Sequence, residues 1–187
     1  MENKKYLPLK IIHLIVIIAG IALYGFSLIN YSSYINGSVT LRLIVDIVAF
    51  AFGLVYLIMS YKKNASIYYK AFMWLLVISQ VVESASILSS YTPSMIDIFK
   101  NNVNLVLFTL IAGARDYGKN NSYLLALCLV VFNVYAVFDV ASMISLADSN
   151  AMATLAMFDR IGQLLLAISA SFMVCGKYLD KTSRGSK

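Results

Sequence analysis

Glu83 and Asp139 are carboxylates in places where an oily helix rarely carries one. Each lies in the C-terminal half of a long apolar stretch, where the helix macrodipole disfavours an acid and capping cannot account for it. Each falls about 10 to 12 Å short of the end of its stretch at 1.5 Å per residue. At such depth a lone charge costs roughly 2.5 to 3.5 kcal/mol even on the lenient insertion scale, so it must meet protein, water or a ligand. Gln80, Asn104, Tyr135 and Gln163 can supply neutral hydrogen-bonding neighbours, and Asp97 and Asp159 add further acids near the starts of their own stretches, in the same expected outer half of the membrane. Two carboxylates held close in a poorly hydrated space do not easily both ionise, so one holds a proton until a cation displaces it. These eight residues are therefore the candidate set for binding a small cation or a polar cationic solute. The competing reading of the same residues is an interhelical clamp, with Glu83 and Asp139 hydrogen-bonded to amides and the phenol.

Covalent chemistry has little support. The chain has no Walker loop, no H-E-x-x-H, no G-x-S-x-G, and no G-x-G-D or paired D-T-G signal for aspartyl chemistry. An intramembrane enzyme working through carboxylates alone is the weakest of the three functional classes. No catalytic residue, cofactor or metal site is expected: His13 is the single histidine, and one imidazole cannot build a multi-histidine site. It reads as a hydrogen-bonded packing residue. Cys128 and Cys175 lie in apolar runs without metal spacing and read as small core residues.

The elements that must position these groups are membrane helices. With 60% hydrophobic and 13% charged residues and a mean hydropathy of +0.79, the chain is far less charged than a soluble domain, in which about a quarter of residues are. At about 20 residues per span, its 187 residues hold six helices and short loops. The expected fold is an all-α integral membrane protein, a six-helix bundle forming one domain over 1–187. Its helices are expected at about 8–30, 41–61, 66–90, 94–115, 122–147 and 151–176, with a basic, mobile cytoplasmic tail over 177–187. The segment 94–119 is the least oily, since Asp97, Lys100, Asn101, Asn102 and Asn104 precede its apolar run. Such a helix needs a polar interior beside it.

Helical spacing assigns faces. His13, Gly20, Tyr24, Ser27 and Tyr31 share one side of the first helix, and Ser79, Gln80, Glu83, Ser86 and Ser90 form a stripe on the third. Asn36-Gly37 marks a turn, and with Ser38 it also matches a glycosylation sequon. Asp46, Asp97 and Asp159 open the even-numbered helices, where they can cap helix ends and pair with Arg42, Lys100 and Arg160. With Glu83, Asp97, Asn104, Asp139, Asp159 and Gln163 all beyond residue 80, the last four helices are expected to form the functional core and the first two a wall.

Basic residues set the orientation. Placing the N-terminus in the cytoplasm puts Lys4, Lys5, Lys10, Lys62, Lys63, Lys70, Arg115, Lys119, Lys177, Lys181, Arg184 and Lys187 inside and leaves Arg42, Lys100 and Arg160 in the outer half. Both termini are then cytoplasmic by the positive-inside rule, which also explains the net charge of +6 without nucleic acid. Echoes such as Val82 to Ser89 against Phe138 to Ser145 suggest three tandem helix hairpins. Shared constraints on helices that start at one interface would produce similar spacing. The expected location is a microbial plasma membrane, and the expected partners are the lipid bilayer and a small cation or cationic solute taken up in an acidic, outward-facing cavity. The alternative is a non-catalytic accessory or scaffold subunit packed against a partner membrane protein.

Overall fold

The computed structural model describes residues 7–34, 36–59, 66–89, 95, 98–99, 103, 105–106, 109, 122–144 and 151–184. Among the described residues the continuous helices are α1 (Leu7–Asn30), α2 (Gly37–Met59), α3 (Ser66–Ser89), α4 (Ser122–Ile144) and α5 (Ala151–Arg184), with no strand. Four of them contain a stretch long and apolar enough to cross a membrane: Leu7–Asn30, Gly37–Met59, Ile67–Ser89 and Thr154–Cys175. The expected span at 94–115 falls mostly outside the described residues. Within it Met95, Ile98, Phe99, Val103, Leu105, Val106 and Thr109 are helical, and the Thr109 hydroxyl donates to the Leu105 carbonyl at 2.8 Å. Asp97 and Asn104 lie outside the described residues.

Two helix bounds differ from expectation. The second helix starts at Gly37 rather than Leu41, because Asn36 acts as an N-cap rather than only as a turn residue. Its side-chain oxygen accepts from the Val39 amide at 2.9 Å and from the Ser38 hydroxyl at 2.8 Å, satisfying donors that a helix end leaves unpaired. The last helix runs on to Arg184, so most of the expected mobile tail is helical. Basic residues suit a helix C-terminus, and Gly185 follows the last helical residue in the sequence.

The helices are inside-out relative to a soluble protein. α1 turns His13, Ile17, Gly20, Tyr24 and Ser27 inward, while Ile11, Ile12, Ile15 and Ile18 are exposed. α2 likewise buries Arg42, Leu43, Asp46, Ala49, Phe50 and Gly53. Apolar outside and polar inside is the arrangement that lipid requires. α1 packs against α2 and α5, α2 against α3, and α4 against α5.

Small residues let large ones seat between helices. The Phe50 ring of α2 occupies the space a Cβ on Gly20 would need, and the Tyr24 ring does the same at Gly162 of α5. Ile17, Phe50, Phe72 and Met173 are fully buried and fill the middle of the bundle. Toward the other end, His13 Nε2 lies 2.9 Å from the Ser169 hydroxyl, and its ring packs on Phe172 at 5.5 Å. That is the packing role expected for it. Cys175 departs from expectation, being exposed rather than in the core.

The glycine seats make a test with an internal control. Gly20→Ala forces a methyl into the Phe50 ring, whereas Gly25 of the same helix has nothing within 4 Å of the added carbon. Thermal denaturation of the purified protein is expected to show a loss of about 1 to 3 kcal/mol for Gly20→Ala. Gly25→Ala is expected to leave the melting temperature unchanged or slightly raised.

Candidate functional site

Charged residues from four helices meet between the bundle's apolar faces. Arg42 and Asp46 come from α2, Glu83 from α3, Asp139 from α4, and Asp159 and Arg160 from α5. Each lies about 8 to 14 Å along its helix from the nearer end, at 1.5 Å per residue. Asp46 and Asp159 are therefore more than two turns inside their helices and cap neither. The remaining polar members, Gln80 and Gln163, lie one turn from Glu83 and from Arg160.

Arg42 is the buried cation of the group, with 7% of its side chain exposed. Its guanidinium pairs with Glu83 Oε1 at 3.2 Å and also with Asp159. Its Nε lies 3.9 Å from Asp46 Oδ2, too far for a hydrogen bond. Asp159 is therefore paired with Arg42 across a helix interface, not with its sequence neighbour Arg160.

Arg160 takes the position expected for a ligand. Its Nη1 lies 3.4 Å from Glu83 Oε1 and its Nε 3.2 Å from Asp139 Oδ2. Glu83 and Asp139 thus face one cation, which is itself 28% exposed. A guanidinium lies between the two carboxylates. Glu83 also accepts from Gln80 Nε2 at 3.4 Å and Gln163 Nε2 at 3.0 Å. Gln163 in turn accepts from Arg160 at 3.1 Å.

Of the eight candidate residues, Glu83, Asp139, Asp159, Gln80 and Gln163 meet in this network. Tyr135 is half-buried one turn before Asp139, while Asp97 and Asn104 are outside the described residues. Arg42, Arg160, Asp46 and Tyr24 are additions. Arg42 and Asp46 therefore bring α2 into the charged network. A helix starting at Leu41 leaves Arg42 at the interface, but the observed start at Gly37 carries it more than a turn inward. An arginine within an apolar stretch, four residues before an aspartate, was the signal available for it.

Beneath Arg42 the balance changes. Asp46 and Tyr24 are completely buried, and Tyr24 and Ser79 lie against the Asp46 carboxylate. Neither Asp46 oxygen has a hydrogen-bond partner, nor do the Tyr24 hydroxyl, Gln80 Oε1 and Arg42 Nε. Buried polar atoms are paired in the large majority of cases, so such a group is a feature to be explained. Among the described residues the cluster sets four carboxylates, Asp46, Glu83, Asp139 and Asp159, against two guanidiniums.

Comparison with known proteins finds no matching family model and no match among curated proteins or solved structures. Function must therefore be argued from the geometry.

Gln163 offers the cleanest probe of the network, since it joins Glu83 to Arg160 without bearing charge. Gln163→Leu is expected to cost about 1 to 3 kcal/mol, because it leaves one acceptor and one donor short of a partner. Thermal unfolding of the purified variant measures this, and an unchanged melting temperature would contradict the pairing.

Proposed function

We propose that this chain is a six-span plasma-membrane protein that binds, and in its working cycle transports, a small cation or polar cationic solute through the outward-facing half of the bundle. The observation that carries this reading is Arg160. A guanidinium already sits between Glu83 and Asp139, joined to both and yet more exposed than either. Two carboxylates that hold a protein cation at 3.2 and 3.4 Å can hold a guanidinium or ammonium group of a solute in the same way. Withdrawal of Arg160 would vacate that position. The excess of carboxylates over guanidiniums adds a field that concentrates cations at the opening.

The saturation of Glu83 favours a second reading. Arg42, Arg160, Gln80 and Gln163 all reach its two oxygens, which is also what a structural clamp in an accessory subunit would need. The two readings differ in whether a solute competes with Arg160.

Thermal denaturation against a screen of guanidinium, primary-amine and polyamine compounds separates them, with sodium and ionic strength held fixed. Binding predicts a saturable rise in melting temperature with at least one compound, abolished by Glu83→Gln or Asp139→Asn. It also predicts that Arg160→Ala tightens that compound's half-saturation, by removing its competitor. No response to any compound would reject the binding reading and leave the accessory subunit.

A further inference from the structure

We infer that Asp46, Tyr24, Ser79 and Gln80 form a site for one dehydrated, sodium-sized monovalent cation, one helical turn inward of Arg42. This site is separate from the position taken by Arg160 and stands whether or not an organic cation binds there.

The atoms left without partners define it. Among the buried side-chain atoms lacking a hydrogen bond, four are oxygens: both of Asp46, the Tyr24 hydroxyl and Gln80 Oε1. All three residues are at least nine-tenths buried, at 0%, 0% and 6% exposed. Asp46 is on α2, Tyr24 of α1 and Ser79 of α3 lie against its carboxylate, and Gln80 follows Ser79 along α3. Ser79, 2% exposed, adds a hydroxyl beside it. Carboxylate, amide, phenol and hydroxyl oxygens together are a donor set for a hard cation, not for a soft or imidazole-seeking metal.

Charge selects the valence. An ionised carboxylate buried without a partner is costly enough that it must be compensated. Arg42 does not suffice, because its terminal nitrogens are committed to Glu83 and Asp159 and its Nε stays 3.9 Å from Asp46. One carboxylate with neutral oxygens balances a single positive charge. A divalent ion would need more acids, and among the described residues no group of three or more His, Cys, Asp or Glu is placed to hold a metal. The repulsion of Arg42 puts the ion on the face of Asp46 that meets Tyr24 and Ser79.

Position relative to the rest of the bundle gives the ion a role. Below this level the interior is closed by Ile17, Phe50, Phe72 and Met173, all fully buried. An ion reaching Asp46 from the outer end therefore stops against an apolar plug. Arg42 stands beside Asp46 and also holds Glu83 and Asp159, so occupancy of the inner site acts on the outer pairs by charge. Sodium bound at Asp46 repels Arg42 toward Glu83 and Asp159.

The test uses the purified full chain, with no organic solute other than N-methyl-D-glucamine as the replacement cation. Melting temperature is followed as sodium chloride replaces N-methyl-D-glucamine chloride at constant ionic strength and pH, with lithium and potassium chloride in parallel. A saturable rise of several degrees with sodium or lithium, larger than with potassium, is the expected result. Tyr24→Phe keeps the ring seated against Gly162 and removes only the oxygen, so it should raise half-saturating sodium about tenfold, the loss of one ligand. Asp46→Asn should abolish the response and melt no lower than wild type in sodium-free buffer. Equal melting of wild-type protein in all four chlorides would overturn the site. So would a sodium response that survives both substitutions, or stability that follows pH while ignoring sodium. Because the organic cations of the preceding screen are absent, failure here leaves the Arg160 position untouched, and the converse also holds.

Discussion

A guanidinium buried between apolar helices constrains the rest of this structure. Arg42 has 7% of its side chain exposed and lies more than a turn inside α2, where neither lipid nor bulk water can solvate it. It must be surrounded by acceptors, and those come from elements far apart in the chain: Glu83 on α3 and Asp159 on α5. Arg160 repeats the arrangement one step further, joining Glu83 to Asp139 of α4. One ionic chain therefore runs through four helices. In lipid, where tails are as apolar as the side chains that face them, helices associate through close packing and polar contacts rather than by hydrophobic exclusion. Gly20 and Gly162 supply the close packing by seating Phe50 and Tyr24.

The same constraint generates the candidate activity. Among the described residues two guanidiniums meet four carboxylates, and they are not shared evenly. Glu83 has more donors than it has oxygens, whereas Asp46 is fully buried and neither of its oxygens has a well-formed hydrogen bond. Glu83, Asp139 and Asp159 thus each pair closely with a guanidinium, whereas Asp46 comes no nearer to one than 3.9 Å. A structural clamp alone gives no reason for the second condition, since a buried pair broken by removal of one partner is strongly destabilising. A cation supplied from outside does give one.

Much of this was legible in the sequence where periodicity and dielectric cost speak directly. The inward face of α1 follows from the spacing of His13, Gly20, Tyr24 and Ser27, and the third-helix stripe correctly grouped Ser79, Gln80 and Glu83. Depth arguments singled out Glu83 and Asp139, and the structure brings both to Arg160. What failed was local. Asn36-Gly37 carries both a turn signal and an N-cap signal, and the cap extends α2 by enough to convert Arg42 from an interfacial residue to a buried one. Asp46 and Asp159 then changed from capping residues to network members. The partner of Asp159 could not be read at all, because a contact between residues 42 and 159 depends on which helices become neighbours, and spacing within one helix is silent on that. The charge-rich segment at 94–119 remains a sequence reading, with Asp97 and Asn104 outside the described residues.

The most direct measurement is a double-mutant cycle on Arg42 and Asp159, read as thermal stability of the purified protein with Arg42→Met, Asp159→Leu and both together. Each single substitution strands a buried charge and should cost several kcal/mol, about 3 to 5 by analogy with other buried pairs. If Arg42 is the cation on which these helices converge, the double variant loses at least about 1 kcal/mol less than the sum of the singles, as expected for residues in contact. Additive losses, or an Arg42→Met protein as stable as wild type, would contradict it.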